Sequence, residues 1–223
     1  MSEQGIFDNL WNNIRIMEVI QQLGRSVPES VLFGSMIMYL ITANLPFGIF
    51  SIFIIELILS HKFISWMITG TVGPVDNYDI KCAAGMKTAR LNIDRIIARH
   101  QYPSYGFFSI TAMATYLGLS TQAFSDVFEY MDRSYPGQWA SRSYVAYGFM
   151  VALLLLFFIV RIGTCDGAME LLLAGLLAVI VGGFFFKINT IFFGKDSVNF
   201  LGLPNLVTKD EKGNTIYVCS KQP

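Results

Sequence analysis

The chain has 223 residues, of which 53% are hydrophobic and 14% charged, and its 16 basic and 16 acidic side chains cancel. Soluble domains usually carry about 25% charged residues. This composition excludes a disordered chain, a coiled coil and a basic nucleic-acid-binding protein, so no direct nucleic acid binding is expected. The composition points to a membrane protein. The apolar runs described below predict an all-α fold with three transmembrane helices, or four.

Residues 1–30 form the first predicted element, an amphipathic helix. Its apolar residues recur at helical spacing over 5–23, and the remaining positions are mostly polar or charged. Acidic residues precede the first apolar run, so we do not expect a cleaved secretory signal. A helix of this kind lies in the headgroup region of a bilayer or packs on a partner protein.

Residues 31–60 form an apolar stretch that is longer than one span needs, with Asn44 and Pro46 in its middle. Proline removes a backbone donor and disfavours the α-helical region at the residue before it. We predict one long first span over 31–60, kinked at Pro46 or tilted. The alternative is a re-entrant hairpin with short arms and both ends on one face.

Glu56 lies near the end of this first span, where a carboxylate needs a partner, a polar cavity or a proton. With three spans, Lys187 reaches the same face as Glu56, and with four spans Arg161 does. The sequence therefore predicts an intramembrane polar pair of Glu56 with Lys187 or with Arg161. The alternative is that the Glu56 side chain extends to the membrane interface by itself.

Residues 61–143 are predicted to lie outside the bilayer or at its surface as a helical segment. The doubtful part is 102–120, which is uncharged but rich in serine, threonine, tyrosine and glycine. Keeping 102–120 out of the bilayer collects most of the basic residues on one face, and the positive-inside rule favours such asymmetry. Three spans are therefore preferred, and 102–120 is an extra span in the alternative.

Within this segment, residues 81–100 form a second amphipathic stretch with a basic side. Basic side chains next to a membrane bind lipid phosphates, although a solvated helix face shows the same pattern. The candidate lipid-phosphate contacts are Lys87, Arg90, Arg95 and Arg99.

Residues 144–186 contain two apolar runs joined by a short loop, which predicts an antiparallel transmembrane helical hairpin. The tail, 187–223, is predicted to lie outside the membrane. Two β-favouring runs in the tail, 205–208 and 215–219, flank a charged turn that contains a glycine. This pattern indicates a small C-terminal β-hairpin.

The chain carries no familiar catalytic motif: it has no P-loop, no G-x-S-x-G and no H-E-x-x-H. Its three cysteines are far apart and its two histidines, His61 and His100, are isolated, which argues against a zinc site. We therefore expect no enzymatic activity, no cofactor and no metal. Cys82 and Cys219 share a face in the three-span arrangement, so they are candidates for a disulfide bond if that face is oxidising.

Three parts of the chain resemble membrane proteins of large nucleocytoplasmic DNA viruses. They are GSMIMYLITANLPFG at 34–48, RIGTCDG at 161–167, and the C-terminal segment 193–219, from Phe193-Gly194 through NFLGLP at 199–204 to Tyr217-Val218-Cys219. With the spacing between them, the similarity covers roughly residues 30–220. The resemblance implies a protein of the virion's internal membrane, beneath an icosahedral capsid, that resides in a host endomembrane during assembly. It also implies contact with minor capsid proteins or other virion membrane proteins.

The sequence thus predicts a structural membrane protein of a viral internal membrane that links the bilayer to the capsid layer. Its candidate partners are lipid, virion proteins and further copies of itself. One alternative is an oligomeric channel, or viroporin, that uses the first span with Glu56 facing inward. Another is a membrane-remodelling factor in virion assembly, with the N-terminal helix inserted in one leaflet.

Overall fold

Five α-helices make up most of the chain that the computed structural model describes, which is residues 16–72, 103–128, 138–162, 167–200, 206–209 and 215–217. The helices are α1 (Ile16–Thr42), α2 (Leu45–Val72), α3 (Tyr105–Ala123), α4 (Gln138–Ile162) and α5 (Ala168–Phe193). They are followed by a short 3-10 helix, η1 (Lys195–Val198), and by two strands, β1 (Leu206–Lys209) and β2 (Thr215–Tyr217).

α1 and α2 form an antiparallel hairpin that turns at Ala43. This residue has a positive φ of 51°, and its N–H donates to the Tyr39 carbonyl to close the last turn of α1. Further along the hairpin, the hydroxyl groups of Ser35 and Ser51 hydrogen-bond at 2.7 Å. The Tyr39 ring lies so close to Gly48 that a Cβ there would be 3.1 Å from it. Glycine therefore lets the two helices approach near the turn.

This hairpin corrects the single kinked span predicted over 31–60. Pro46 lies in the first turn of α2, where its missing N–H leaves no helical hydrogen bond unmade. The proline therefore helps to start a second helix and does not bend the first. The hairpin given as the alternative is closer to the structure, but its arms are not short, since α1 has 27 residues and α2 has 28. α1 begins at Ile16 and therefore includes the second half of the predicted amphipathic helix over 1–30. Residues 1–15 lie outside the described part of the chain.

α3 lies inside the bundle, between α2 and α5. It is antiparallel to α2, because His61 contacts Tyr105 while Phe53 stacks on Tyr116. It is parallel to α5, its most extensive partner, because successive α3 residues meet successive α5 residues. These contacts pair Phe107 with Gly175, Ala112 with Gly182, and Tyr116 with Phe186.

α4 runs antiparallel to α3 on another side of it. The Tyr147 hydroxyl donates to the Gly118 carbonyl at 3.3 Å, and Arg161 donates to the Ser104 hydroxyl at 2.9 Å. Successive helices therefore alternate in direction, and the bundle has two ends. We call them the Arg161 end, which contains Arg161, Ser104 and His61, and the Ser120 end, which contains Ser120 and the turn at Ala43.

The position of α3 bears on the prediction that 61–143 lies outside the bilayer or at its surface as a helical segment, because part of this segment is packed inside the bundle. The described parts of this segment are the end of α2, all of α3 and the start of α4, with a short helical turn at 125–128. Ten residues of α3 are buried. Their serines, threonines, tyrosines and small side chains suit a helix that is surrounded by other helices, because small residues permit close helix packing and hydroxyls bond across helices.

Two helices are long and apolar enough to cross a membrane, Leu45–Ile68 within α2 and Ala168–Phe193. Two shorter apolar helices accompany them, Val27–Thr42 and Tyr144–Ile159. The predicted transmembrane hairpin over 144–186 thus corresponds to α4 and α5, which contact each other. Its connecting loop lies outside the described residues.

The segment after α5 folds back on the Ser120 end. The Ser120 hydroxyl donates to the Val198 carbonyl, and the Phe200 ring meets the edges of Phe47 and Phe50. Beyond it, β1 and β2 pair as antiparallel strands, with Leu206 opposite Tyr217. They occupy the two runs from which the sequence predicts a β-hairpin, and the turn between them lies outside the described residues.

The α3–α5 contact makes the first testable prediction. A Cβ on Gly182 would lie 2.7 Å from the Ala112 carbonyl oxygen, so Gly182→Ala forces two backbones apart. We expect it to lower the free energy of unfolding by about 1–3 kcal/mol, as overpacked cores do. The measurement is the unfolding transition of the purified protein in detergent.

The matched control is Gly148→Ala on α4, where a Cβ meets nothing within 4 Å. This change should be neutral or stabilising by up to ~1 kcal/mol, since alanine favours a helix. Equal effects of the two substitutions would contradict the close approach of α3 and α5.

Candidate functional site

The outer faces of four helices are covered by large hydrophobic side chains. α1, α2, α4 and α5 all carry them, with exposed fractions as high as 77% for Leu40 and 78% for Phe192. α3 contributes none of the exposed large hydrophobic residues. Soluble proteins rarely expose contiguous apolar surface on this scale. The described bundle is therefore apolar outside, while its central helix carries the small and polar residues.

Aromatic residues with a polar atom lie towards both ends of this apolar surface. Trp66 is 71% exposed near the Arg161 end, and Tyr144 is 75% exposed near the Ser120 end. Tryptophan and tyrosine are enriched at the two interfaces of a bilayer. About 30 Å separates Leu45 from Trp66 along α2, at 1.5 Å per residue, which equals the hydrocarbon thickness of a typical bilayer.

A polar cluster formed by Glu56, Tyr116 and Asn189 lies inside the bundle, and we call it the central cluster. The Asn189 side-chain amide donates to the Glu56 carboxylate at 3.3 Å, linking α5 to α2. Asn189 is 1% exposed and Tyr116 is fully buried. Among the residues that the structure describes, the Asn189 carbonyl oxygen and the Tyr116 hydroxyl both lack a hydrogen-bond partner. The cluster therefore contains a carboxyl group, an amide and a phenol with unused hydrogen-bonding capacity.

Aromatic rings surround this cluster and hold Tyr116 in place. The Tyr116 ring stacks on Phe53 with centroids 4.1 Å apart and meets the edge of Phe186. Phe50 and Phe200 lie at 5.8 and 6.4 Å from it. Such contacts stabilise a core beyond the area they bury. α2, α3, α5 and the segment after η1 thus converge on one tyrosine.

The predicted intramembrane pair of Glu56 with Lys187 or Arg161 is replaced by the pair of Glu56 with Asn189. Lys187 lies only two residues before Asn189, but that spacing puts it on the exposed side of α5. Arg161 is buried and bonds to Ser104 at the Arg161 end. The sequence therefore predicts the correct helix as the partner of Glu56, but not the correct residue.

A second group of polar residues lies at the Arg161 end. The His61 ring nitrogen Nε2 is 2.6 Å from the Pro103 carbonyl oxygen, so it carries the proton of that hydrogen bond. His61 is 3% exposed. Its ring also meets the edge of Tyr105. These contacts, with that of Arg161 to Ser104, fasten the start of α3 to α2 and α4.

The remaining predicted site residues lie outside the described part of the chain. They are the disulfide candidates Cys82 and Cys219 and the lipid-phosphate candidates Lys87, Arg90, Arg95 and Arg99. Within the described residues, no three His, Cys, Asp or Glu side chains are grouped as metal ligands.

Sequence reasoning missed Asn189, Tyr116 and the small-residue stripe of α5. The stripe consists of Ala174, Ala178 and Gly182, which are buried and recur every four residues. This small-x-x-x-small spacing is a known signature of close packing between membrane helices. On α3, the buried residues Tyr116 and Ser120 are also four residues apart. The two spacings together indicate which faces of α3 and α5 are buried.

The bundle and its central cluster define a mainly helical protein with an apolar exterior and an interior that encloses polar groups among aromatic and aliphatic side chains. No protein-family model, no curated protein and no solved structure matches this chain.

The central cluster makes the second testable prediction. Asn189→Leu keeps the size of the side chain but removes the amide that donates to Glu56. We expect it to lower the free energy of unfolding by about 1–3 kcal/mol, the cost of leaving a buried polar group unpaired. Denaturant or thermal unfolding in detergent measures the effect.

Lys187→Leu is the control, since Lys187 is exposed on the same helix. It should change stability by less than ~0.5 kcal/mol, as surface substitutions usually do. If Lys187→Leu proved the more damaging of the two, the pairing of Glu56 with Asn189 would be contradicted.

Proposed function

We propose that this chain is a structural membrane protein of a viral internal membrane, in which it links the bilayer to the capsid layer. The observation that carries the membrane part is the arrangement of side chains, with large apolar residues exposed on the outside and the buried polar residues enclosed with aromatic and aliphatic side chains inside. Water would make this arrangement unfavourable, because about 25 cal/mol is lost for each Å² of apolar surface left exposed. Lipid removes that cost.

All five helices cross the bilayer in this proposal. Two reach the full length of a span, and the apolar parts of α1 and α4 are shorter but alternate with them in direction. α3 crosses as the central helix, with its polar groups facing other helices and not lipid. This arrangement replaces the three or four spans expected from the sequence, because the first apolar stretch is two helices and α3 lies within the bundle.

The packed interior favours a scaffold over a pore formed by a single chain. Buried rings and aliphatic side chains fill the space between α2, α3 and α5; they include Phe53, Phe108, Leu57 and Tyr116, all at 0% exposure. A channel needs polar groups that line a continuous water-filled path. Glu56 is instead bonded to Asn189 between two helices. An oligomeric channel and a membrane-remodelling factor are the alternatives that experiment must separate from the scaffold.

The virion part of the proposal is supported by the resemblance of three segments, 34–48, 161–167 and 193–219, to membrane proteins of large nucleocytoplasmic DNA viruses. In the proposed topology, 73–102 connects helices at the Arg161 end, while 129–137 and the tail after α5 lie at the Ser120 end. The segments that are available to minor capsid proteins are therefore divided between the two faces of the membrane.

The third testable prediction concerns whether α3 crosses the membrane. Thr71, at the end of α2, and Gln122, at the end of α3, are both exposed. Thr71→Cys and Gln122→Cys are each placed in a chain whose natural cysteines are replaced by serine, and are labelled in proteoliposomes with a membrane-impermeant maleimide. We expect the two sites to be labelled from opposite sides, because one crossing of the bilayer separates them.

Labelling of both sites from the same side would contradict this topology and restore 61–143 as a segment on one face. Labelling after detergent is added gives the total for each site, so an unreactive cysteine is recognised as such.

The fourth testable prediction comes from cross-linking mass spectrometry on intact particles that contain the protein. We expect links to capsid proteins from one face only, either from 73–102 or from 129–137 and the tail. The reason is that only one side of an internal membrane faces the capsid. If the protein is cross-linked to other virion membrane proteins but to no capsid protein, the linking role is contradicted.

A further inference from the structure

We infer that Glu56 is a proton-binding site within the membrane, and that the neutral carboxylic acid is the form which Asn189 and Tyr116 hold between α2 and α5. This inference rests on the proposed placement of the bundle in a bilayer, but not on the proposed role in a virion. It follows from the depth of Glu56, from the charged groups around it and from the hydrogen-bonding capacity left unused in the central cluster.

Glu56 lies halfway along the part of α2 that can cross a membrane, Leu45–Ile68. At 1.5 Å per residue it is about 17 Å from either end of that span. An ionised side chain at the centre of a bilayer is costly, and glutamate is too short to extend its carboxylate to a distant interface. The side chain is only partly buried by protein, and its neighbours Ile52, Ile55 and Leu59 are exposed on the apolar surface.

The basic groups near Glu56 are directed elsewhere. On α2 itself, His61 is held by the Pro103 carbonyl and Lys62 is exposed towards the Arg161 end. On α5, Lys187 is exposed on the side opposite Asn189. α4 contributes Arg161, which bonds to Ser104 at the end of the bundle.

The helices packed against this region present neutral groups to it. α3 presents Tyr116, and α5 presents Asn189. α1 meets α2 through the hydroxyl of Ser35 on Ser51. A carboxylate at Glu56 would thus have a single amide donor, at 3.3 Å, and no basic side chain bonded to it among the described residues.

A proton on Glu56 uses the capacity that the structure leaves open. The Asn189 carbonyl oxygen is buried and has no donor within the described part of the chain, and a carboxylate has no hydrogen to give it. A carboxylic acid and a primary amide are complementary: the acid O–H donates to the amide oxygen while the amide N–H donates to the acid carbonyl. The Tyr116 hydroxyl, for which the described residues supply no partner either, can then donate to a remaining lone pair of the acid or the amide.

Protonation balances as a single proton transfer: an O–H bond of hydronium in the aqueous phase breaks, an O–H bond forms on the Glu56 carboxylate, and water is released. The consequence is structural. The acid–amide pair joins α2 to α5, whereas a carboxylate at the same place is unfavourable in hydrocarbon and is stabilised by moving towards water. Loss of the proton should therefore loosen the packing of α2 on α5 and the segment around Phe200 that depends on it.

Infrared spectroscopy of the full chain in lipid bilayers tests the inference. A protonated carboxyl group has a C=O stretching band separate from that of carboxylates. At neutral pH we expect this band in the wild type, its loss in Glu56→Gln, and its retention in Glu170→Gln. Glu170 is the matched control because its carboxylate accepts from the Gly167 N–H at the exposed start of α5. An unchanged band in Glu56→Gln would overturn the inference.

Two further measurements keep the test decisive if Glu56→Gln folds poorly. Asn189→Leu should shift the wild-type band, since it removes the amide partner, and an unshifted band would contradict the pairing. In addition, the unfolding equilibrium of the wild type should move towards the unfolded state as pH rises, by up to about tenfold per pH unit for one proton. Glu56→Gln should lack that component, and an identical pH dependence in both proteins would overturn the inference.

Both tests can fail while the topology from cysteine labelling holds, in which case the bundle spans the membrane with an ionised Glu56. If the labelling fails instead, the bilayer depth assigned to Glu56 is lost with it. The two proposals are therefore distinguishable.

Discussion

The fold depends on the close approach of α3 and α5 where Ala112 meets Gly182. Only the missing side chain of Gly182 allows the two backbones to come this near, and Ala174 and Ala178 continue the same narrow contact along α5. Because α5 takes up little space on this side, α3 sits in the middle of the bundle, where α1, α2 and α4 can also contact it. The polar side chains of α3 then face helices on several sides. Their enclosure by other helices follows from one small-residue contact.

That central position connects the packing with the chemistry. Tyr116 on α3 is the residue on which Phe53, Phe186 and Phe200 converge, so α2, α5 and the segment after η1 are held together at one level. Glu56 and Asn189 meet at the same place. A polar pair is strongest as a link between helices where water is excluded, and most costly when one member is lost. The central cluster thus joins α2, α3 and α5, and it is where the proposed protonation of Glu56 would act.

The sequence was sufficient for a mainly helical fold and for α4 and α5, because long apolar runs and a short connecting loop can be recognised without tertiary information. It did not predict the hairpin at Ala43, since Pro46 suits both a kink and the first turn of a new helix, and local rules do not separate the two. It placed 102–120 outside the bilayer because serine, threonine and tyrosine reduce apparent hydrophobicity. What decides their location is whether other helices surround them, which is a tertiary property.

Charge distribution was the basis for predicting three spans, which the five crossings proposed above would replace. Collecting the basic residues on one face supports three spans, but the rule applies weakly to long connecting segments. The structure has basic side chains at both ends of the bundle: Lys62 and Arg161 at one, Lys187 and Lys195 towards the other. The partner of Glu56 was equally out of reach, because opposite charge is the obvious complement of a carboxylate. A neutral amide becomes the better partner only if the acid is itself neutral.

The central claim is that α3 is the lipid-shielded core of a membrane bundle. Hydrogen–deuterium exchange of the full chain in lipid nanodiscs tests it most directly. The account predicts that the backbone amides of α3 exchange as slowly as those of α5, because both helices are enclosed. Exchange of α3 that is much faster than that of α5, at the rate of a helix lying on the membrane surface, would contradict it.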